Sequence, residues 1–174
     1  MHHDATAFAA LVATLADDVA ALVPVGQPFN VVGIRTRGEI LATRLLPMLR
    51  DRGATDVGHG TLDITLYRDD LNELGPRAVV HPTDLNIEID KRPLVLIDDV
   101  LYTGRTARAA LDALADFGRP SVIRLAVLVD RGGRELPIRP DVTALTLDLP
   151  PEQQVKVKVT ECDGEDGVDV VSRV

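Results

Sequence analysis

A chain of 174 residues, 45% hydrophobic and 26% charged with 13 Gly and 11 Pro, has the size and make-up of one soluble globular domain, which excludes collagen-like, prion-like and largely disordered proteins. No apolar run nears the ~20 residues of a membrane helix, the opening Met1-His2-His3-Asp4 lacks a signal-peptide pattern, and one cysteine excludes an intrachain disulfide and a cysteine-based zinc site; the cytoplasm is the expected compartment. Asp and Glu outnumber Lys and Arg 27 to 19, a formal net charge of −8, and no Lys or Arg precedes Arg35, so the chain as a whole repels nucleic acid.

Residues 5–23 carry Phe8, Leu11, Val12, Leu15, Val19, Leu22 and Val23 on one helical face, closed by Pro24, Gly26 and Pro28. Phe29-Asn30-Val31-Val32-Gly33-Ile34 reads as a short buried strand. A helical pattern returns over 38–50, where Pro47 predicts a kink or an early stop. The alternation Leu62-Ile64-Leu66 predicts a strand within 56–66, and the polar, Pro- and Gly-punctuated stretch 67–92 predicts a partly mobile segment with a short hairpin. Leu94–Ile97 is an unbroken apolar run, as in a strand buried on both faces of a parallel sheet. A helix over 105–117 turns Ala109, Ala110, Leu111, Leu114 and Phe117 inward, and Val122–Val129 gives another apolar strand. The tail alternates at Val155, Val157 and Val159 and then turns acidic. Strand and helix alternate through the middle, so the expectation is an α/β sheet in a single domain.

The segment Leu94-Val95-Leu96-Ile97-Asp98-Asp99-Val100-Leu101-Tyr102-Thr103-Gly104-Arg105-Thr106 carries the chemistry. A buried strand ends in two adjacent carboxylates, and a short loop then opens a helix. Ligands of open α/β sheets sit beyond the carboxyl ends of the strands. Unpaired N–H groups and the dipole at the helix start favour a phosphate, Gly104 permits close approach, and Thr103, Thr106 and Arg105 add donors. Ionised carboxylates only accept hydrogen bonds, so Asp98 and Asp99 suit sugar hydroxyls. The implied ligand is a phosphorylated pentose. A G-x-G-x-x-G dinucleotide fingerprint and a Gly-Lys-Ser/Thr P-loop are both absent.

This segment resembles the 5-phosphoribosyl 1-pyrophosphate (PRPP) motif of type I phosphoribosyltransferases. Together with Val32-Gly33-Ile34-Arg35-Thr36-Arg37-Gly38, Thr61-Leu62-Asp63-Ile64-Thr65-Leu66-Tyr67-Arg68-Asp69-Asp70, the run from Val129 to Asp141 that contains Arg-Glu-Leu-Pro-Ile-Arg-Pro-Asp, and Asp163-Gly164-Glu165-Asp166, it resembles the PyrR family across residues 29–169. That family joins pyrimidine-operon attenuation to uracil phosphoribosyltransferase activity. The resemblance implies a type I fold, with about five parallel strands flanked by helices over a core near 29–145. A small hood would come from the N- and C-terminal segments.

The implied reaction is uracil + PRPP → UMP + diphosphate, in a homo-oligomer. By position, Thr103-Gly104-Arg105-Thr106 would hold the 5′-phosphate, Asp98 and Asp99 the ribose hydroxyls, and Thr36 and Arg37 the diphosphate. Val100, Leu101 and Tyr102 complete the loop. Mg²⁺ would ride on diphosphate and ribose oxygens with no dedicated protein ligand. Arg68, on a mobile loop, would close onto the leaving group. Uracil would be read around Val129 and Arg131 and from the hood, and a pyrimidine leader RNA around Arg134 and Arg139.

Departures from the family fall on the RNA side. Gly133 and Asp17 stand where the family carries His, and Ala144-Leu145-Thr146 and Asp148-Leu149-Pro150-Pro151 replace polar and basic stretches. The sugar-phosphate machinery is expected intact and the RNA surface eroded, which favours the enzyme over the attenuator. Bland readings are expected elsewhere: Cys162 a bystander, His59 and His81 loop or surface groups, His2 and His3 disordered, and Glu161–Asp169 a solvated acidic face.

Overall fold

A computed structural model describes residues 2–74 and 78–173. Five strands, β2 (Phe29–Ile34), β3 (Val57–Leu62), β4 (Pro93–Leu101), β5 (Val122–Asp130) and β6 (Val142–Thr146), form one parallel sheet in the order β3-β2-β4-β5-β6. All six residues of β2 are buried, as a central strand covered on both faces requires. Helices α1 (Ala5–Ala21) and α2 (Arg37–Asp51) cover one face and α4 (Arg105–Ala115) the other. Asp4 caps α1, its carboxylate accepting from the Ala7 N–H at 2.9 Å, a contact worth about 1 kcal/mol. None of the described helices is long and apolar enough to cross a membrane.

The sheet order places the site. From β2 the chain crosses to β3 on one side, and from β4 it proceeds to β5 and β6 on the other. The crevice between the carboxyl ends of β2 and β4 is therefore the switch point, where ligands bind in open sheets. Strand β4 also outruns β2. Its last β2 partner is Ile97, opposite Gly33, whereas it stays paired with β5 through Leu101. Asp98 and Asp99 thus lie inside the strand rather than just beyond it, held by β5 on one edge and open to the crevice on the other.

A second sheet, antiparallel in the order β1-β8-β7, joins β1 (His2–His3), β7 (Gln153–Lys158) and β8 (Gly167–Ser172). His2 and His3 are therefore ordered partners of Asp169 and Val168, not a disordered end.

Other expectations shift for local reasons. Pro47 neither stops nor ends α2, which runs four residues past it. Leu41, Ala42, Leu45 and Leu49 are wholly buried, and about 1.5–3 kcal/mol per large side chain outweighs the ~3 kcal/mol cost of an internal proline. The alternation Leu62-Ile64-Leu66 is not a strand. β3 ends at Leu62, a 3-10 turn covers Thr65–Tyr67, and Leu66 is 62% exposed. The 67–92 stretch contains the single turn α3 (Leu71–Leu74) and a bridge from Asp84 to Thr61, with no hairpin among the described residues; 75–77 lie outside them. On α4 the buried residues are Ala107, Ala109, Ala110, Ala113 and Leu114, while Leu111 and Phe117 are exposed. Small alanines let this helix sit close to the sheet, and Phe117 falls beyond its end. In β5 burial is complete only from Leu125 to Val129.

Candidate active site

The β2–α2 turn is built by two glycines. A Cβ on Gly33 would lie 2.4 Å from the Glu39 Cα, and one on Gly38 would lie 2.4 Å from the Ile97 carbonyl oxygen. Both approaches are backbone to backbone, so α2 begins pressed against β4 beside the two acids. The Arg35–Thr36 peptide is cis. Glu39 holds the turn from below: its carboxylate lies 3.4 Å from the Arg35 guanidinium and accepts from the Thr61 hydroxyl at 3.3 Å. Arg37 Nη2 donates to both oxygens of Asp163, at 2.9 and 3.2 Å.

Across the crevice, Asp98 is buried and Asp99 half-buried. The Asp99 N–H donates to the Asp98 carboxylate and the Val100 N–H to the Asp99 carboxylate, each at 2.9 Å. Burial, followed by repulsion from Asp99, pushes the Asp98 carboxyl well above the usual carboxylate range. A cation or a positively charged sugar beside the pair reverses both effects. Gly104, at φ +93°, turns the chain into α4 and packs against Ile138 and Leu136. The first turn of α4 contains no acid, so its positive end is left for a ligand anion.

A cavity of about 380 Å³ opens between these two loops. It gathers Thr36, Arg37, Arg68, Asp98, Asp99, Val100 and Thr106. Tyr102, Thr103 and Arg105 line an adjoining cavity of about 230 Å³ that shares Arg68 and Thr106 with the first. Leu101 belongs to the core beneath α4.

The structure corrects several side-chain roles. The Arg105 guanidinium, at the adjoining cavity, is paired with Asp69 at 2.5 Å and Glu135 at 2.8 Å. Arg68 is at the cavity but chelates Asp70 at 2.8 and 2.6 Å. Val129 is wholly buried in the core and presents no side chain to a base. Arg131 is a strut: buried, stacked 3.8 Å from the Tyr102 ring centroid, and donating to the Leu149 and Pro150 carbonyls. Arg134 is likewise consumed, by the Ile138 and Tyr102 carbonyls and by Asp130. Arg139 is exposed, beside an apolar pocket near Leu111 and Ile123.

The cavity also contains residues that sequence reasoning missed: Arg35, Asp63, Thr65 and His81. Asp63 is buried and accepts from the Thr65 N–H at 2.7 Å and from the His81 N–H. Burial works against its charge, yet the hydrogen bonds from Thr65 and His81 hold its carboxyl below the usual range. Asp63 thereby ties together the two ends of the segment that carries Arg68. An acid wedged between buried Leu62 and Ile64, two residues before a threonine, was the available signal for such a turn. His81 is the exposed loop residue expected, and its loop lies at the cavity. His59 lies within β3, where burial lowers its pKa.

The acidic tail is exposed from Glu161 to Glu165, as a solvated face is, and it also carries an ion-pair network. Glu161 and Asp166 grip Arg44 between them, Asp163 holds Arg37, and Asp169 pairs with Lys158 and His2. Cys162 is free and exposed. A third cavity, about 410 Å³, lies between this region and the sheet; Arg37 and Asp99 line it together with Val155–Lys158 and Asp163. No cluster of three or more metal-binding side chains occurs among the described residues.

The phosphoribosyl transferase domain model matches residues 2–164. The chain is 54% identical over 141 residues to the bifunctional protein PyrR of Roseiflexus sp. (strain RS-1), covering 80% of this chain and 77% of that one. It is 55% identical over 139 residues to that of Thermus aquaticus, again 80% and 77%. Among solved structures, a hypoxanthine phosphoribosyltransferase of Trypanosoma cruzi superposes with a TM-score of 0.68 at 16% identity, covering 98% of this chain and 94% of that one. Its K68R ternary complex superposes with a TM-score of 0.71 at 18% identity, covering 98% and 93%. At these identities the structures establish the fold, which is the type I phosphoribosyltransferase fold, while the sequence relatives establish the lineage. The chain belongs to the PyrR family of phosphoribosyltransferase-domain proteins.

Proposed function

We propose that this chain transfers the 5-phosphoribosyl group of PRPP to uracil: the bond from C1 to diphosphate breaks, a bond from C1 to uracil N1 forms, and the N1 proton leaves. The observation that carries this reading is the single cavity at the β2/β4 switch point. It combines Thr36 and Arg37 on one wall with Asp98, Asp99 and Thr106 on the other. The acid-free start of α4 receives the 5′-phosphate, and the acids accept from ribose hydroxyls and face the positive charge that grows on the ring. Arg35 and Arg37 neutralise the leaving group. Arg68 joins them when it exchanges Asp70 for the diphosphate.

The donor set suits Mg²⁺. Two adjacent carboxylates, one buried, lack a cation of their own, and without a third ligand nearby a metal there completes its shell from substrate oxygens and water. Bound in this way, Mg²⁺ would supply charge neutralisation at the diphosphate and ribose oxygens.

Uracil fits the third cavity through backbone groups. β7 is an edge strand paired with β8 alone. The Arg173 N–H donates to the Glu152 carbonyl, and the register continues as Gln153 opposite Ser172. Even-numbered residues of β7 therefore turn their peptide groups to β8, and Val155 and Val157 turn theirs outward. The outward order of donor, acceptor and donor (Val155 N–H, Val155 C=O, Val157 N–H) complements the acceptor, donor and acceptor of the uracil imide edge. Hydrogen-bonding groups of this kind reject a base with the wrong pattern. In a coupled assay with PRPP, uracil is expected to turn over at least about 100-fold better, as kcat/KM, than hypoxanthine, guanine or orotate. A purine preference would overturn the reading.

Attenuation by RNA binding is the second reading, supported by family membership. Its local support is thin. Arg134 is consumed internally, and Asp17 pairs with Arg52 at 2.6 Å. At Gly133, φ +74°, any Cβ would meet the Tyr102 ring at 2.5 Å, so a histidine there requires that ring to move. Filter binding at low salt to a pyrimidine leader RNA is expected to give no nanomolar Kd. Nanomolar binding lost in Arg139→Ala would establish the second reading.

A further inference from the structure

The two arginines on one face of α2, Arg37 and Arg44, both reach the same turn between β7 and β8. Arg44 is anchored there by four bonds: Nε and Nη2 to Glu161 at 3.0 and 2.5 Å, and Nη1 and Nη2 to Asp166 at 2.9 Å each. The same contacts hold Asp166 down at about 2. Asp163 is differently placed. One of its oxygens accepts the Val159 N–H at 2.9 Å at the end of β7 while both accept from Arg37 Nη2. Only that nitrogen of Arg37 is engaged. Its Nε is buried without a partner among the described residues, an unsatisfied donor that an anion beside the guanidinium would engage.

Arg37 also lines both the sugar-phosphate cavity and the cavity along β7. The guanidinium is thus shared between two cavities and fixed by a carboxylate that also fixes the end of the strand lining one of them.

We infer that Asp163 is a positioning residue that orients Arg37 for the diphosphate according to the state of the β7 cavity, so that nucleobase binding and diphosphate binding reinforce each other. This rests on the reading that the β7 cavity takes the uracil ring and the crevice takes the diphosphate. With the base in place, the end of β7 and the Asp163 turn are fixed, and Arg37 is presented with its free donors toward the leaving group. Without it, the turn and Arg37 share a looser set of positions. Such coupling is an equilibrium property, and it is equal in both directions.

The test is calorimetric titration of inorganic diphosphate into the full chain, with Mg²⁺, in the absence and presence of saturating UMP. In the natural protein, UMP is expected to tighten diphosphate binding about fivefold or more, the lower end of ordinary coupling. In Asp163→Asn that factor is expected to fall below two. The Arg44 clasp should keep the turn in place, so the melting temperature of Asp163→Asn is expected to stay with that of the natural protein. Asp163→Glu keeps the carboxylate and should retain the coupling; it carries the test alone if the amide variant does not fold. Undiminished coupling in Asp163→Asn, or coupling lost equally in Asp163→Glu, would overturn the inference. If the natural protein does not bind UMP at all, the uracil reading fails. If it binds UMP and diphosphate independently, the uracil reading survives and this inference does not.

Discussion

Replacing Asp98 and Asp99 together by Asn is expected to lower kcat/KM for PRPP by about 10²–10³-fold and, at the same time, to raise the melting temperature at pH 8. The two effects have one origin. Asp98 is buried beside a second carboxylate, and its pKa is raised by burial and then by Asp99. A carboxyl group that holds its proton more tightly when folded contributes stability that is complete below the ordinary carboxylate value. That contribution is lost as pH rises through the folded value. An amide cannot ionise, so the variant should match the natural protein in melting temperature near pH 4 and exceed it by a few degrees at pH 8.

The same sign governs ligand binding. PRPP with its cation favours the ionised pair, so binding expels a proton and PRPP affinity should increase as pH passes upward through the Asp98 value. Thermal melts at the two pH values and steady-state kinetics check both halves. A variant less stable than the natural protein at pH 8 would refute the burial argument. A kcat/KM within threefold of the natural value would refute the assignment of the acids.

How far the residues announced this site depends on the range of the forces involved. Leu94–Ile97 and the Leu125–Val129 part of Val122–Val129 were legible because a strand buried on both faces must be apolar without interruption, and Phe29–Ile34 was legible despite buried Asn30. Asp98, Asp99 and Thr106 were singled out by the strand-to-helix turn they occupy, and Thr36 and Arg37 by the family resemblance. The structure brings them into one cavity. What was hidden depends on partners distant in sequence. Arg105 pairs with Asp69 and Glu135, and Arg134 spends its donors on Tyr102, Ile138 and Asp130; an arginine in a motif does not show which anion has claimed it. The reach of Glu161, Asp163 and Asp166 back to Arg44 and Arg37 spans more than 110 residues. Composition alone described that tail as a solvated acidic face. Leu66 misled the strand assignment because period-two alternation over three apolar positions also fits a strand end followed by a 3-10 turn.

Gly38→Ala is the variant in which two opposing effects of known sign meet. Gly38 lies in the first turn of α2 without positive φ, and by helix propensity alone alanine should stabilise it by roughly 0.5–1 kcal/mol. Against this, the new methyl group would lie 2.4 Å from the Ile97 carbonyl oxygen and 3.1 Å from the Asp98 Cα. Neither neighbour is a flexible side-chain tip, so relief requires α2 to move away from β4, a kind of overpacking that costs about 1–3 kcal/mol. The clash should win. The melting temperature is expected to fall by roughly 2–8 °C, given about 2–4 °C per kcal/mol in a domain of this size. Because Thr36 and Arg37 ride on the displaced turn, the KM for PRPP should rise at least about tenfold. Gly53→Ala is the control. Its φ of +91° strains alanine too, but nothing lies within 4 Å of the added Cβ and the site is remote, so it should lower stability by about 1–2 kcal/mol and leave the PRPP KM unaltered. Were Gly38→Ala more stable than the natural protein, with an unchanged KM for PRPP, the diphosphate turn would not be seated on β4, and the geometry that sets Arg37 opposite Asp98 and Asp99 would have to be abandoned.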